Sequence, residues 1–547
     1  WVARGLSRRD LMRLAGAGAG MGVLTALLRN STDGVSAQDA TATAGGQVSV
    51  RWDNAPLTLS PLFSTSGSEQ QVERLLFGAL VKMNDALVPT PDLAETIEAS
   101  ADATTYTFTL REGLTFNDGT PLTSADAVFT LERAINPATG SYWQGRLSGI
   151  VGAKDYDGSG TVEGLTAVDD RTVEIKLAAP DGAFLVNLCN FSGLGILPKH
   201  ILGDVAPDAL KENPFTLAPT VTAGGFNYVQ YQTDQYLEMA RNPNYPGEVG
   251  LDRIFMNIVE VAVALGQLET GEIDLMGVPV ADAERASGLD GITVVSVPSP
   301  SMDFLAFNLD RPFFQNEKAR QAMMYAIDRQ GIVNAVLQGE GTVVNSSIFG
   351  PDWMGVPEGL ELYEYDPDKA KALLDESGFD KDQSFSIMIV PGTPAQDAAL
   401  SIIIEQLSSV GFKPEILQVD VPELIRRWID ESDFDMFYNA GGVFRADPSI
   451  SGTYFDTANF TPGGGNGSHY SNPRVDELFA QGRAQSDPAE RKATYTELAQ
   501  ILNTEVPWVF LWSPNSIFGF NNRLQGFAPP SYSNNKLWNA EEWTVTE

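Results

Sequence analysis

A chain of 547 residues with 36 Lys and Arg against 71 Asp and Glu carries a formal charge of −35, and 43% apolar residues supply ample core for several domains. That charge excludes a nucleic-acid binder, because neutralising phosphates needs a basic face. One cysteine, Cys189, rules out an intrachain disulfide and a Cys-cluster metal site, and two histidines, His200 and His469, leave little material for a zinc site or a general base.

The chain opens with Ser7-Arg8-Arg9-Asp10-Leu11-Met12-Arg13 and an uncharged stretch from Leu14 to Leu28. This is too short and too weakly apolar for a membrane span, which needs about 20 residues. The paired arginines before it resemble a twin-arginine export signal, and Val35-Ser36-Ala37 fits a small-x-small cleavage site. Residues 1–37 are therefore expected to be a signal peptide and the rest a periplasmic protein, with no cysteine after the apolar stretch to carry a lipid anchor. Residues 48–52 alternate like a strand and end in the turn Asp53-Asn54-Ala55-Pro56. Tyr106-Thr107-Phe108-Thr109-Leu110 alternates again, and Asp118-Gly119 supplies the positive φ of a tight turn. A helix is expected from Thr123 or Ser124 to about Arg133, and strands at 172–177 and 227–231. Helices are expected at 317–337, 367–377, 396–410, 421–430, 473–485 and 488–504. Strands and helices interleave without a repeat, so the fold class is α/β with mixed sheets. The glycine-rich run Thr461 to Ser468 reads as a mobile surface loop.

Catalytic and metal motifs are weak. Asp155-Tyr156-Asp157-Gly158-Ser159-Gly160 begins like a calcium loop, but Thr166 stands where the bidentate Glu belongs, so it reads as an acidic turn. No Gly-x-Ser-x-Gly elbow accompanies His469, which reads as a solvated loop histidine, and no phosphate-binding Gly-x-x-x-x-Gly-Lys run is present. A carboxylate-pair glycoside hydrolase is the rival class, since any acidic chain offers such pairs. No catalytic residue, metal ligand or cofactor is assigned. Aromatic and polar residues beside turns, Tyr142, Trp143, Phe444, Arg445, Trp508 and Trp512, are candidates for lining a pocket.

Several segments carry a resemblance. Residues 106–126, from Tyr106-Thr-Phe-Thr-Leu-Arg111 through Asn117-Asp118-Gly119-Thr-Pro121 to Asp126, resemble the signature of extracellular solute-binding proteins, family 5. So do Phe304-Leu-Ala-Phe-Asn308, Pro312-Phe313, Arg320-Gln-Ala322, Ala326-Ile-Asp328-Arg329, Tyr365-Asp366-Pro367, Phe434-Asp435-Met436 and Tyr470-Ser-Asn472-Pro473. The likeness runs in order over about residues 47 to 530. It implies a two-lobed, type II periplasmic-binding fold whose first lobe (47–298 plus 517–547) is subdivided by an insertion near 81–215 and whose second lobe is 299–516. Hinge crossings are expected near Pro298-Ser299-Pro300 and Ser513-Pro514. The resemblance further implies a monomer without enzymatic activity that captures a solute, a peptide by family default, and hands it to an ABC permease with its ATPase subunits.

One departure stands out within that resemblance. Where peptide-binding relatives hold the peptide ammonium with an aspartate three positions before an acidic-Pro pair, here Asp447-Pro448, this chain has Phe444. A phenyl ring cannot pair with an ammonium, and Arg445 beside it would repel one. A saccharide or opine-like solute is thereby the alternative to a peptide, and a chelated metal ranks third. Ligand contacts are expected in three stretches, Phe63 to Ser66, Met302 to Phe304 and Asn439 to Asp447, and within them at Phe63, Ser64, Ser66, Met302, Phe304, Asn439, Phe444, Arg445 and Asp447.

Overall fold

The computed structural model describes residues 45–546 apart from 85, 190–192, 300, 349, 351–352, 440–446, 463, 486 and 531–534. The export signal expected over 1–37 lies outside the described residues. The first half of the chain begins with β1 (Gln47–Trp52), the helix Gly67–Leu76 and the short hairpin β2 (Val81–Met83) and β3 (Pro89–Pro91). A separate antiparallel sheet then forms from β4 (Ala94–Ala99), β5 (Thr105–Leu110), β6 (Leu165–Asp169) and β7 (Thr172–Lys176), in the order β4-β5-β7-β6. The alternation in β5 does what period two requires: Tyr106, Phe108 and Leu110 are buried and the threonines between them are not. The expected Asp118-Gly119 turn forms, with Gly119 at φ +87°, and it leads into the helix Ser124–Ile135. Thr123 caps that helix in a reciprocal capping box with Asp126.

The large sheet continues through β8 (Phe226–Gln232), β9 (Tyr236–Arg241), β10 (Arg253–Ile258), β11 (Leu275–Gly277), β12 (Ile292–Pro298), β13 (Asp303–Phe307) and β14 (Gly341–Val343). It is completed by β15 (Ser384–Ile389), β16 (Lys413–Gln418), β17 (Met436–Asn439) and the fourteen-residue β18 (Trp508–Asn521). The order is β16-β15-β17-β13-β18-β11-β1-β10-β9-β8, with β12 and β14 also paired to β18. Parallel pairs (β1 with β10 and β11, β15 with β16 and β17) sit among antiparallel ones, so the sheet is mixed.

Two large hydrophobic cores and a smaller third, around Leu265, Leu268, Met276 and Ile517, lie on this framework. One large core gathers Val48, Trp52, Phe77, Phe108, Phe226 and Trp543 from residues 48–275 with 518–545. The other large core gathers Phe304, Phe307, Leu407, Tyr495 and Trp508 from residues 302–512. In the second, Phe304 and Trp508 stack with ring centroids 3.8 Å apart.

Four expectations change. The helix expected over 317–337 is two helices, Glu317–Ala326 and Arg329–Val336. Ile327 is extended, and the Asp328 carboxylate accepts from Gly331 N at 2.8 Å, starting the second helix afresh. The break places Arg329 in the interior, where it donates to the carbonyls of Val344, Phe510, Leu362 and Tyr363. Burial lowers its pKa to about 10. The span 421–430 holds one α-turn, Val421–Ile425, and a π-turn, Arg426–Asp430. Finally, the glycine-rich run is tied down: Asn466 donates to Tyr470 O at 2.9 Å, and Trp508 Nε1 donates to Ser468 Oγ at 3.0 Å. His469, expected to be solvated, is mostly buried, with Nδ1 2.6 Å from Asp310 Oδ2 and Nε2 2.9 Å from Thr461 Oγ1.

Candidate functional site

The chain passes between the two cores along β18 and along the connection from β12 to β13. Residues 515–521 of β18 pair with β12, and residues 508–512 pair with β13, so one continuous strand serves both cores. At the middle of β18, Ser513 Oγ stands 2.8 Å from Ser299 O and 2.7 Å from Ser301 O, a hydroxyl that ties one passage to the other.

A cavity of about 890 Å³ opens over these passages, within the range of small-solute sites. Its floor is Ser299, Ser301, Asp303, Trp512 and residues 514–516. One wall is Ser66, Gly67, Ser68 and Gln71 at the start of the helix Gly67–Leu76, joined by residues 277–282 and Lys536. A second part of the lining is Thr393–Gln396 at the start of the helix Pro394–Val410, joined by Glu340 and Tyr438. Local sequence explains both helix starts. Ser66 accepts from Ser68 N at 3.2 Å, and Thr393 and Gln396 cap each other reciprocally ahead of Pro394. The positive ends of two helix dipoles thus border the cavity.

The pleat of β13 decides which residues face the ligand space. Met302 and Phe304, expected as ligand contacts, are fully buried in the second core, while Ser301 and Asp303 line the floor. Successive side chains of an extended chain point to opposite faces, so the two sets cannot share one. Asp303 is 5% exposed, and its Oδ2 accepts from Trp512 Nε1 at 3.0 Å and from Tyr438 Oη at 3.2 Å. Burial first, and then the Asp303 charge, push the Tyr438 hydroxyl well up, so it stays a neutral donor. Nearby, Asp53 receives Lys536 Nζ at 3.0 Å and Arg51 Nη1 at 2.5 Å. Desolvation opposes its charge, but these two cations outweigh it and hold the carboxyl below its ordinary value.

Of the other expected contacts, Ser66 lines the cavity. Ser64 is buried outside the lining, and Phe63 packs against the first core. Asn439 ends β17 opposite Phe304 and is half-buried outside the lining. Asp447 is turned inward, because Arg491 Nη2 reaches it at 2.9 Å in a buried ion pair and Ser449 N caps on the same oxygen. Phe444 and Arg445 lie outside the described residues. Among the candidate aromatics, Trp512 faces the cavity. Trp508 is core, and Trp143 is buried against Pro61 O. Sequence reasoning missed Tyr438 and Lys536, and it covered Asp303 only as the unnamed middle of the stretch Met302 to Phe304. The available signal was an acid set between two large apolar residues at the start of a buried strand.

The sequence profile of bacterial extracellular solute-binding proteins, family 5 Middle, matches residues 88–462. A Brucella melitensis protein described as an ABC transporter peptide-binding protein is 29% identical over 93% of this chain and 95% of its own length. The solved structure of the oligopeptide-binding protein AppA of Bacillus subtilis, in complex with a nonapeptide, superposes with a TM-score of 0.78 at 25% identity, covering 92% of this chain and all of that one. The substrate-binding protein CtaP of Listeria monocytogenes shares the fold with a TM-score of 0.81 at 23% identity, over 92% of this chain and all of its own.

Proposed function

The chain belongs to the bacterial extracellular solute-binding proteins of family 5, and from that premise we propose that it captures a small peptide in the cavity over β13 and β18 and delivers it unaltered to an ABC permease. The family supplies the substrate-binding component of ABC importers, with permease and ATPase subunits as its partners. The observation that carries the reading is the cavity itself, whose floor is the pair of passages between the cores and whose walls come from both. A peptide touching both walls gains all its contacts only when the walls approach, so binding biases closure. The lobes we assign are 47–298 with 517–547 and 299–516, the first carrying an inserted subdomain near 81–215. They close about the Ser299–Ser301 and Ser513–Pro514 passages, in a monomer working in the periplasm after export. The peptide assignment rests on the Brucella relative and on the nonapeptide complex of AppA.

Isothermal titration of the purified protein with tri- to nonapeptides and with oligosaccharides tests this. One-to-one peptide binding with a Kd of about 1 μM or tighter, roughly −8 kcal/mol, is expected, with the peptide recovered intact. Binding of saccharides alone, or recovery of cleaved peptide, would refute it.

A further inference from the structure

Besides the two passages, the chain brings the insertion near 81–215 into direct contact with the second lobe, at the end of the helix Pro473–Ala484. The last four carbonyls of a helix have no partner within it. Here Gln481 O takes the capping N–H of Gln485, Gly482 O takes Arg491 Nε at 3.0 Å, and Arg483 O takes Gly182 N of the insertion at 2.8 Å. The approach is close because residue 182 has no side chain. A Cβ there would stand 2.6 Å from Gln485 O, and its three nearest neighbours would all be backbone atoms of Arg483 and Gln485. The Gly182 backbone lies outside the left-handed region, so the approach, and not its own conformation, calls for glycine. Within the insertion the loop is fixed: Tyr106 Oη donates to Asp181 O and Ala183 N donates to Asp181 Oδ1, each at 2.9 Å. Burial raises the Asp181 pKa; the Ala183 N–H opposes the rise, and from the second lobe Asp447 adds to it while Arg483 and Arg491 oppose it. Two more second-lobe side chains cross the same boundary. Ile450 packs against the first core, and Tyr454 feels Tyr142 and Arg146 of the insertion, its pKa raised by burial first and by Tyr142 next.

We propose that the contact of Gly182 with the end of the helix Pro473–Ala484 is a clasp that holds the two lobes together before any solute arrives, so that the unliganded protein populates its closed form. The clasp presupposes the two lobes assigned above and goes beyond them, since closure there is driven by the solute alone. Gly182 N and Arg483 O meet only when the lobes are together; apart, each turns to water. The clasp therefore contributes only the modest net value of an exchanged hydrogen bond, with the apolar burial of Ile450 added to it. A contribution of that size biases closure without locking it. A solute then finds its site already assembled in part of the population, and its apparent dissociation constant is the intrinsic one divided by that fraction.

Gly182→Ala tests this, because the added methyl collides with Gln485 O in the closed form while its nearest neighbours all belong to the second lobe, which leaves the packing of each lobe intact. Small-angle X-ray scattering and residue-resolved amide exchange compare the wild type and the variant without solute, and titration with tri- to nonapeptides reads the effect on binding. The unliganded variant is expected to have a larger radius of gyration than the unliganded wild type and at least tenfold faster exchange at the amide of residue 182. Its peptide dissociation constants should be about tenfold higher. Exchange of the Gly182 amide at the rate of an unstructured chain in the unliganded wild type, which requires no variant, would overturn the clasp. The same radius and the same exchange in both proteins would also overturn it and, where peptides bind, leave the peptide reading standing. Opening of the variant, in a protein that binds none of the peptides, would support the clasp and overturn the peptide reading.

Discussion

Asp447→Ala is expected to destabilise the protein by about 3–5 kcal/mol, because it strands the Arg491 guanidinium in the interior. The two side chains are 2% and 8% exposed and meet at 2.9 Å. Arg491 also donates to Gly482 O at 3.0 Å and lies 4.9 Å from the ring centroid of Trp353. It cannot swing to water without breaking this packing. Burial works against the Arg491 charge, and Asp447 is foremost among the groups that offset it and raise its pKa. The pair as a whole is worth much less than the cost of breaking it, since both charges were desolvated to form it. The double variant Asp447→Leu with Arg491→Met should therefore recover most of the loss. Urea unfolding of the two single variants and the double variant measures this. A loss below about 1 kcal/mol for Asp447→Ala, accompanied by weaker peptide binding, would instead place Asp447 on the ligand.

Glu73→Gln should stabilise the protein at pH 8 and leave it nearly unchanged at pH 4. Glu73 is 2% exposed on the helix Gly67–Leu76. Burial, and next the neighbouring Glu69 carboxylate, raise its pKa well above the ordinary 4.5. An acid with a raised native pKa keeps its proton when the unfolded chain has already released one. Its stabilising contribution is complete below the unfolded value and is lost as pH rises from there toward the native value. Glutamine keeps the neutral shape of the protonated acid at every pH. The melting curves of the two proteins should coincide near pH 4 and separate steadily above pH 5, with the variant higher by roughly 2 °C or more at pH 8. Parallel curves across that range would show that Glu73 does not titrate anomalously.

Much of the scaffold is legible because its determinants are local. The alternation of Tyr106, Phe108 and Leu110 and the Thr123 to Asp126 capping box each lie within one short window. The break at Asp328 escapes a periodicity reading, since apolar spacing continues on both sides and only the capping geometry of one side chain separates the helices. The glycine-rich run misleads for a related reason. Glycine marks permissive backbone, but whether that backbone is held depends on distant partners such as Trp508 for Ser468. The site is harder still. Asp303 gets its donors from Tyr438 and Trp512, 135 and 209 residues away in sequence. Which of Met302, Asp303 and Phe304 faces the cavity is set by register against β17 and β18. Family likeness directs attention to the right strand, and strand pairing then selects the residue.

Amide hydrogen exchange with and without a peptide found by the titration tests most directly whether the solute sits between the two cores. Slowed exchange is expected in three separate segments: residues 66–71 from the first core, residues 393–396 from the second, and residues 513–518 of the strand that joins them. Protection confined to one core, or centred on a surface away from these segments, would contradict it.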